Sequence, residues 1–428
     1  MTRGSPQGRA QGREMTTMNR VGAPRWLVWT VGLVALVLHG CGGGDQVAGS
    51  PGGVGSGGTG SYSAGPVSGL GSIIVNGVRY DVTTATIVSE DELALTEADL
   101  SLGQVVEVQG SDIVSGQSGA LDTATATKVK VRRALVGRVT AVAFGAGAGT
   151  LTVLNQTVQI NPKTVLPSNL VVGNEVAVHG FVDQGSGKLK ATRVDRLSNS
   201  TADPTSPASY WVSGPVRSVS GGTGFTVGEM TFTYNLAGLP AGLVPGALAQ
   251  VRFDKPAGPF ACTLAQPCVV TAIQLRVALV DDSREARIDG ALSAYSTLTR
   301  HGRLERSEVD FSQVSGLPGL LDGDRLSVQG KLSGGVLVAS RVTVSNDTLL
   351  QAREVELHGR ISACTLCTGL GGAFMLRNAQ VIYTVPVPSA LEAALVPADG
   401  VCVAVRGLSF DTLGRLIATD IRRDTACH

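Results

Sequence analysis

Two hydrophobic patterns divide the chain. Residues 26–40, from Trp26 to Gly40, form one unbroken apolar run of fifteen. From residue 67 onward, apolar and polar residues alternate with a period of two. In Val106-Glu107-Val108-Gln109 the valines fall on one face and the polar residues on the other, the pattern of a half-buried antiparallel strand. The 3.6-residue spacing of an amphipathic helix is convincing only in the apolar run, with short helical candidates at Asp91–Leu100 and Ser389–Leu395.

The alternating stretches recur. A Gly-x-aliphatic opening occurs at Gly71, Gly137, Gly214, Gly290 and Gly359, with spacings of 66 to 77 residues. Behind each opening a glycine starts an alternating strand, at Gly103, Gly173, Gly246, Gly323 and Gly400, and a second strand closes the unit. A unit of this size holding about five strands suits a small closed barrel. The pattern predicts an all-β chain of five tandem small antiparallel β-barrels, similar to the oligonucleotide/oligosaccharide-binding (OB) fold. The modules run over 67–133, 134–197, 210–282, 283–347 and 354–424, with 198–209 as a linker. Each module should have its own core, with a continuous solenoid as the alternative.

Composition adds an N-terminal export story. Glycine is abundant at 56 residues, while aromatics make up 4 % and charged residues 16 %, which fits short strands joined by tight turns. The net charge of +1 hides an asymmetry: residues 1–40 carry five arginines against Glu14, so the remainder is slightly acidic. No basic face with interleaved aromatics accompanies the repeats, which argues against a nucleic-acid partner. Fifteen apolar residues behind Arg20 and Arg25 make a signal peptide over 1–40, since a spanning helix needs about 20. Met18 is the expected initiator. The run ends in Leu38-His39-Gly40-Cys41, which resembles the lipobox of bacterial lipoproteins and implies lipidation of Cys41 and a membrane anchor. Residues 41–66, rich in Gly and Ser, read as a flexible tether. Gly42 in place of Asp resembles an outer-membrane sorting signal.

Two stretches resemble a known family. Gly69 to Asp81, with Leu102 to Gly110 after them, resemble bacterial lipoproteins built from domain of unknown function 5666, closely in the first two units and loosely in the third. With degenerate units the resemblance covers about residues 67–424. It implies small β-modules in the cell envelope and brings no activity with it.

Candidate chemistry is sparse. His179 occupies a strand position held elsewhere by Gln109, Arg252, Gln329 and Arg406, so an exposed site that tolerates any polar residue is expected. His301 and His358 have no acid or nucleophile at a recognisable spacing. Glu90-Asp91-Glu92 and Asp281-Asp282 read as solvated turns. There is no Gly-x-Ser-x-Gly elbow, P-loop, His-Glu-x-x-His or calcium loop. Six cysteines remain beyond Cys41, an even number in an oxidising compartment. The expected pairs are Cys262 with Cys268, Cys364 with Cys367, and Cys402 with Cys427. For Cys364-x-x-Cys367 the alternatives are a redox pair and a zinc site with Cys402 and Cys427. The reading is a non-enzymatic envelope lipoprotein with no catalytic residue, metal or cofactor, binding a glycan, an envelope polymer or a protein partner. The alternatives are an envelope-polymer hydrolase and a passive surface spacer.

Overall fold

The computed structural model describes residue 60 onward, except 118–119, 146–147, 184, 235–238, 258–260, 276–282, 306, 318, 345–354, 369–370, 385–396, 412 and 426–428. Met1–Gly55 and Ser56–His428 are separate units. The stretch read as a signal peptide and lipobox, with Cys41, lies outside the described residues. No helix among the described residues is long and apolar enough to cross a membrane.

Five barrels follow one another. The first comprises β1 (Ser61–Leu70), β2 (Ile73–Val75), β3 (Val78–Asp81), a small hairpin of β4 (Thr86–Val88) and β5 (Ala94–Leu95), then β6 (Val105–Gly110) and β7 (Asp122–Arg132). The second has β8 (Leu135–Gly145), β9 (Ala148–Val153), β10 (Gln156–Ile160), β11 (Glu175–Val182) and β12 (Leu189–Ser198). The third has β13 (Tyr210–Ser220), β14 (Gly224–Val227), β15 (Met230–Thr233), β16 (Leu248–Phe253) and β17 (Cys268–Leu275). The fourth has β18 (Ser283–Ser296), β19 (His301–Leu304), β20 (Ser307–Asp310), β21 (Arg325–Ser333) and β22 (Val336–Val344). The fifth has β23 (Val355–Thr368), β24 (Gly371–Leu376), β25 (Ala379–Thr384), β26 (Cys402–Phe410) and β27 (Leu416–Arg423).

The connectivity repeats. In the second barrel β8 pairs antiparallel with β9 and β11, β9 with β10, and β11 with β12, while β10 runs parallel to β12. The same five pairings close each of the other barrels. That ring of five strands is a Greek-key barrel of the OB type.

Two sequence signals explain the closure. The glycine near the end of the fourth strand coincides with a register shift at Gly110, Gly180, Gly330 and Gly407. A Cβ at Gly330 would fall 2.0 Å from the Val338 carbonyl oxygen, so the strand bends there at a bulge that only glycine fits. The second signal is a two-residue hairpin after the second strand, opened by a left-handed residue in each barrel: Asn76, Leu154, Gly228, Glu305 and Arg377, with φ between 49° and 60°. Asn-Gly suits such a turn. For Leu154, Glu305 and Arg377 the conformation costs about 1–2 kcal/mol, and packing of the turn tips against neighbouring barrels holds it.

Those tips dock barrel to barrel. Asn76 Nδ2 donates to the carbonyls of Ala64 and Arg287, both at 2.8 Å, joining barrels one and four. Asn155 donates to the Glu229 carbonyl at 3.1 Å and the Glu229 amide donates back to Gln156 Oε1 at 3.0 Å, joining two and three reciprocally. Asn378 donates to the Leu100 carbonyl at 2.6 Å, joining five to one. First strands also pair across modules: β8 with β13, and β1 with both β18 and β23.

The expectation of five separate cores is therefore corrected. One buried cluster runs through barrels two and three, from Leu135 to Val270. Another runs through barrels one and five, and Tyr62 and Ala64 of β1 enter the core of barrel four. The tether boundary also moves, because strand structure begins at Ser61 rather than at residue 67. Its Ser- and Gly-rich composition resembles a linker, yet six of its residues pair with β6 and four with β18. The helix expected at Asp91–Leu100 is instead β5 followed by a single 3-10 turn, Glu97–Asp99, capped by Thr96 and Asp99. Ser389–Leu395 lies outside the described residues.

Candidate functional site at the junction of four barrels

Barrels one to four meet at a narrow recess with room for little more than ordered water. Its walls include Glu107 and Arg132 of barrel one, Phe181 of barrel two, Ser213 of barrel three, and Asp289 and Glu305 of barrel four. Arg132 Nη1 donates to Glu107 Oε1 at 2.5 Å, and its Nε lies 3.9 Å from Glu90. Arg325 is 5 % exposed and stacks over the Phe181 ring at 4.3 Å, with Asp289 at 3.8 Å. A wider cleft of about 750 Å³ between barrels three and four shares Leu248 and Glu305 with this recess.

The electrostatics follow from burial. Desolvation opposes the charge on Arg132, but Glu107, Glu90 and Glu305 outweigh it and raise its pKa. Burial lowers Arg325 to about 10, against the opposing pull of Asp289 and Glu305. Burial also raises the Glu305 carboxyl, which Arg132 and the Ala291 amide only partly offset. A carboxyl raised by burial near an arginine-held Glu107 is a pairing that acid–base catalysis uses. The recess itself has room for little more than water, although Glu305 also borders the wider cleft, and the charged groups that face one another there come from barrels one and four. The arrangement ties barrels together.

Several sequence readings are corrected at this junction. His179 is 1 % exposed, with Nδ1 2.5 Å from the Arg132 carbonyl and Nε2 3.3 Å from Asp195. Burial alone would raise Asp195, yet His179 and Arg193 bring it down to about 2. The equivalent Gln109, Arg252, Gln329 and Arg406 are half-buried or exposed. Repeat equivalence sets which way a side chain points from its own barrel; docking of the next barrel decides whether water reaches it. Glu90 is likewise buried, accepting from the Arg133 amide at 3.4 Å, and Asp91 pairs with Arg252 of barrel three at 2.6 Å. Asp281 and Asp282 lie outside the described residues.

A second polar knot fastens the 198–209 connection. Glu175, 0 % exposed, accepts from Ser198 Oγ and the Tyr210 hydroxyl, each at 2.5 Å, and from Lys255 Nζ at 3.1 Å. Lys255 also meets Ser206 Oγ. A serine beside a lysine can form a nucleophile–base pair, but here Lys255 also donates to the enclosed Glu175 and serves as a strut. His358 lies between Glu356 at 2.7 Å and Asp424 at 2.9 Å, acids that sequence spacing did not reveal.

Cysteine placement is simpler. Cys262–Cys268 and Cys364–Cys367 are disulfides, and Cys402 is also disulfide-bonded. Cys427 lies outside the described residues. Among the described residues no group of three His, Cys, Asp or Glu side chains is placed to hold a metal ion.

Residues 64–129 and 136–195 match the model of a family described as Domain of unknown function (DUF5666). The matched residues are those of the first two barrels. Each match starts inside a first strand, β1 or β8, and ends in a fifth, β7 or β12, so one family unit is one barrel. The other three barrels carry the same topology outside the matched residues. The comparison with curated proteins gives no match. Among solved structures the chain is similar to a Drosophila chain described as Unr CSD456, at 14 % identity over 50 % of this chain and 97 % of that one, with a TM-score of 0.14. It is also similar to a Streptococcus pneumoniae multidomain protein with nucleic acid binding domains, at 14 % identity over 49 % and 72 % of the two chains, with a TM-score of 0.13. Neither likeness is close enough to bear on what this chain binds.

Proposed function

We propose that the protein is a non-enzymatic lipoprotein of the bacterial cell envelope, held at the outer membrane by lipidated Cys41, whose five barrels form one rigid body that binds a glycan, an envelope polymer or a protein partner. The observation that carries the rigid-body part is the position of β1. This strand follows directly on the Gly-rich segment and pairs with four others, β2, β6, β18 and β23, drawn from three barrels. An anchor attached upstream thus holds the whole body by its central strand. Glu90 and Glu107 at the four-barrel junction support the non-enzymatic reading, because they hold Arg132 in a recess with no open reaction space. The wider cleft between barrels three and four is the better place for a ligand.

Metabolic labelling with a fatty acid tests the anchor: wild type takes label into the membrane fraction, and Cys41→Ser does not. Label retained by the variant overturns the lipoprotein reading. Envelope pull-downs and glycan arrays with the full chain test binding; turnover of an envelope polymer that Glu305→Gln abolishes would establish the hydrolase instead.

A further inference from the structure

The interface between barrels five and one holds a polar cluster that the proposed function does not use. His358 on β23 is pressed against the β1–β2 turn: a Cβ added at Gly71, whose φ is +116°, would fall 2.6 Å from His358 Cβ. Only 14 % of its side chain is exposed. Nδ1 lies 2.9 Å from Asp424 Oδ2 and Nε2 lies 2.7 Å from Glu356 Oε1. Carboxylates only accept hydrogen bonds, so both ring nitrogens must donate, and only the protonated ring can do that. Glu356 also accepts from Arg79 of β3 at 3.1 Å, which carries the pairing across into barrel one.

The charged groups around the ring come from every element packed on it. Arg79 stands on β3, Glu356 on β23 itself and Asp424 just past β27, while Arg406 on β26 acts on Glu356. Arg377, in the β24–β25 turn, donates Nε to the His358 carbonyl and Nη1 to Glu97 of barrel one, both at 2.8 Å. The protonated ring donates to Glu356 and Asp424 at once; loss of the proton removes the positive charge between them and turns one ring lone pair toward a carboxylate.

We propose that His358 is a proton-operated latch between barrels five and one, closed while the imidazole is protonated and loosened in alkali. Its hydrogen bond to Glu356, opposed by burial and helped by the one to Asp424, raises its pKa above the ordinary 6.5. A raised folded pKa places the stabilisation fully below the unfolded value, and it is lost as pH rises through the folded one.

The test uses the full chain. NMR of the His358 Cε1 proton should give a midpoint above 6.5. Hydrogen exchange at the Leu70 and Leu357 amides, corrected for intrinsic rates, should lose at least tenfold protection from pH 6 to pH 9, while barrels two and three keep theirs. His358→Gln should remove that step. Should this variant fail to fold, Asp424→Asn retains the ring and should move its midpoint down. A His358 midpoint at or below 6.5, or one pH profile shared by wild type and His358→Gln, overturns the latch.

Discussion

Glu175→Gln offers the sharpest probe of how the barrels are fastened. The carboxylate at position 175 is fully enclosed and accepts from a serine, a tyrosine and a lysine contributed by β12, β13 and the segment after β16. Glutamine keeps the shape but removes the charge, and its amide must point a donor at one of these donors. Breaking a buried ion pair by removing one partner costs about 3–5 kcal/mol. Lys255 keeps 24 % of its side-chain surface and can swing toward water, so the low end, about 3 kcal/mol, is expected. Tyr210→Phe removes one hydrogen bond to a charged acceptor and should cost about 1.5–3 kcal/mol. Urea unfolding of the full chain, followed by circular dichroism, reads both midpoints.

The pH arm gives the same argument a sign. Burial would raise the Glu175 carboxyl, but hydrogen bonds from Ser198, Ser206, Tyr210 and Lys255 hold it below the ordinary 4.5. A depressed carboxylate contributes stability above its unfolded pKa and loses it as pH falls through the folded value. Wild type and Glu175→Gln should therefore differ at neutral pH and converge in acid. A cost under about 1 kcal/mol, typical of exposed pairs, or a pH-independent difference would refute the reasoning.

Two further outcomes follow from the fold. A fragment spanning residues 134–275 should melt cooperatively and at higher temperature than 134–197 alone, because the buried cluster runs through both barrels and β8 pairs with β13; equal melting temperatures would mean independent cores. Non-reduced peptide mapping should recover Cys262–Cys268 and Cys364–Cys367, with Cys402 joined to Cys427, and Cys402→Ser should lower stability by about 2–4 kcal/mol; a free Cys427 thiol would end that assignment.

The sequence by itself determined the barrels. Period-two alternation identifies strands, the glycine at the fourth strand's end marks the bulge in four of the five rings, and the recurrence of the strand pattern counts the modules. These are short-range rules: a strand needs only its own pattern, and a bulge only its own glycine. Nearby cysteines were legible for the same reason, since a short loop brings Cys262 to Cys268 at little entropic cost.

How the barrels meet depends on contacts between residues far apart in the chain. Ser61–Pro66 read as tether because two serines and a glycine dilute Tyr62 and Ala64, yet two flanking strands bury them. His179 and Gln109 are equivalent by repeat, and one is sealed while the other is half-exposed. Glu90 and Asp424 find partners more than forty residues away in sequence, Arg133 and His358. Each depends on which barrel docks on which face. Turn tips such as Asn76, Glu229 and Asn378 set that choice. A polar residue in a tight turn looks the same in sequence whether it faces water or the next barrel.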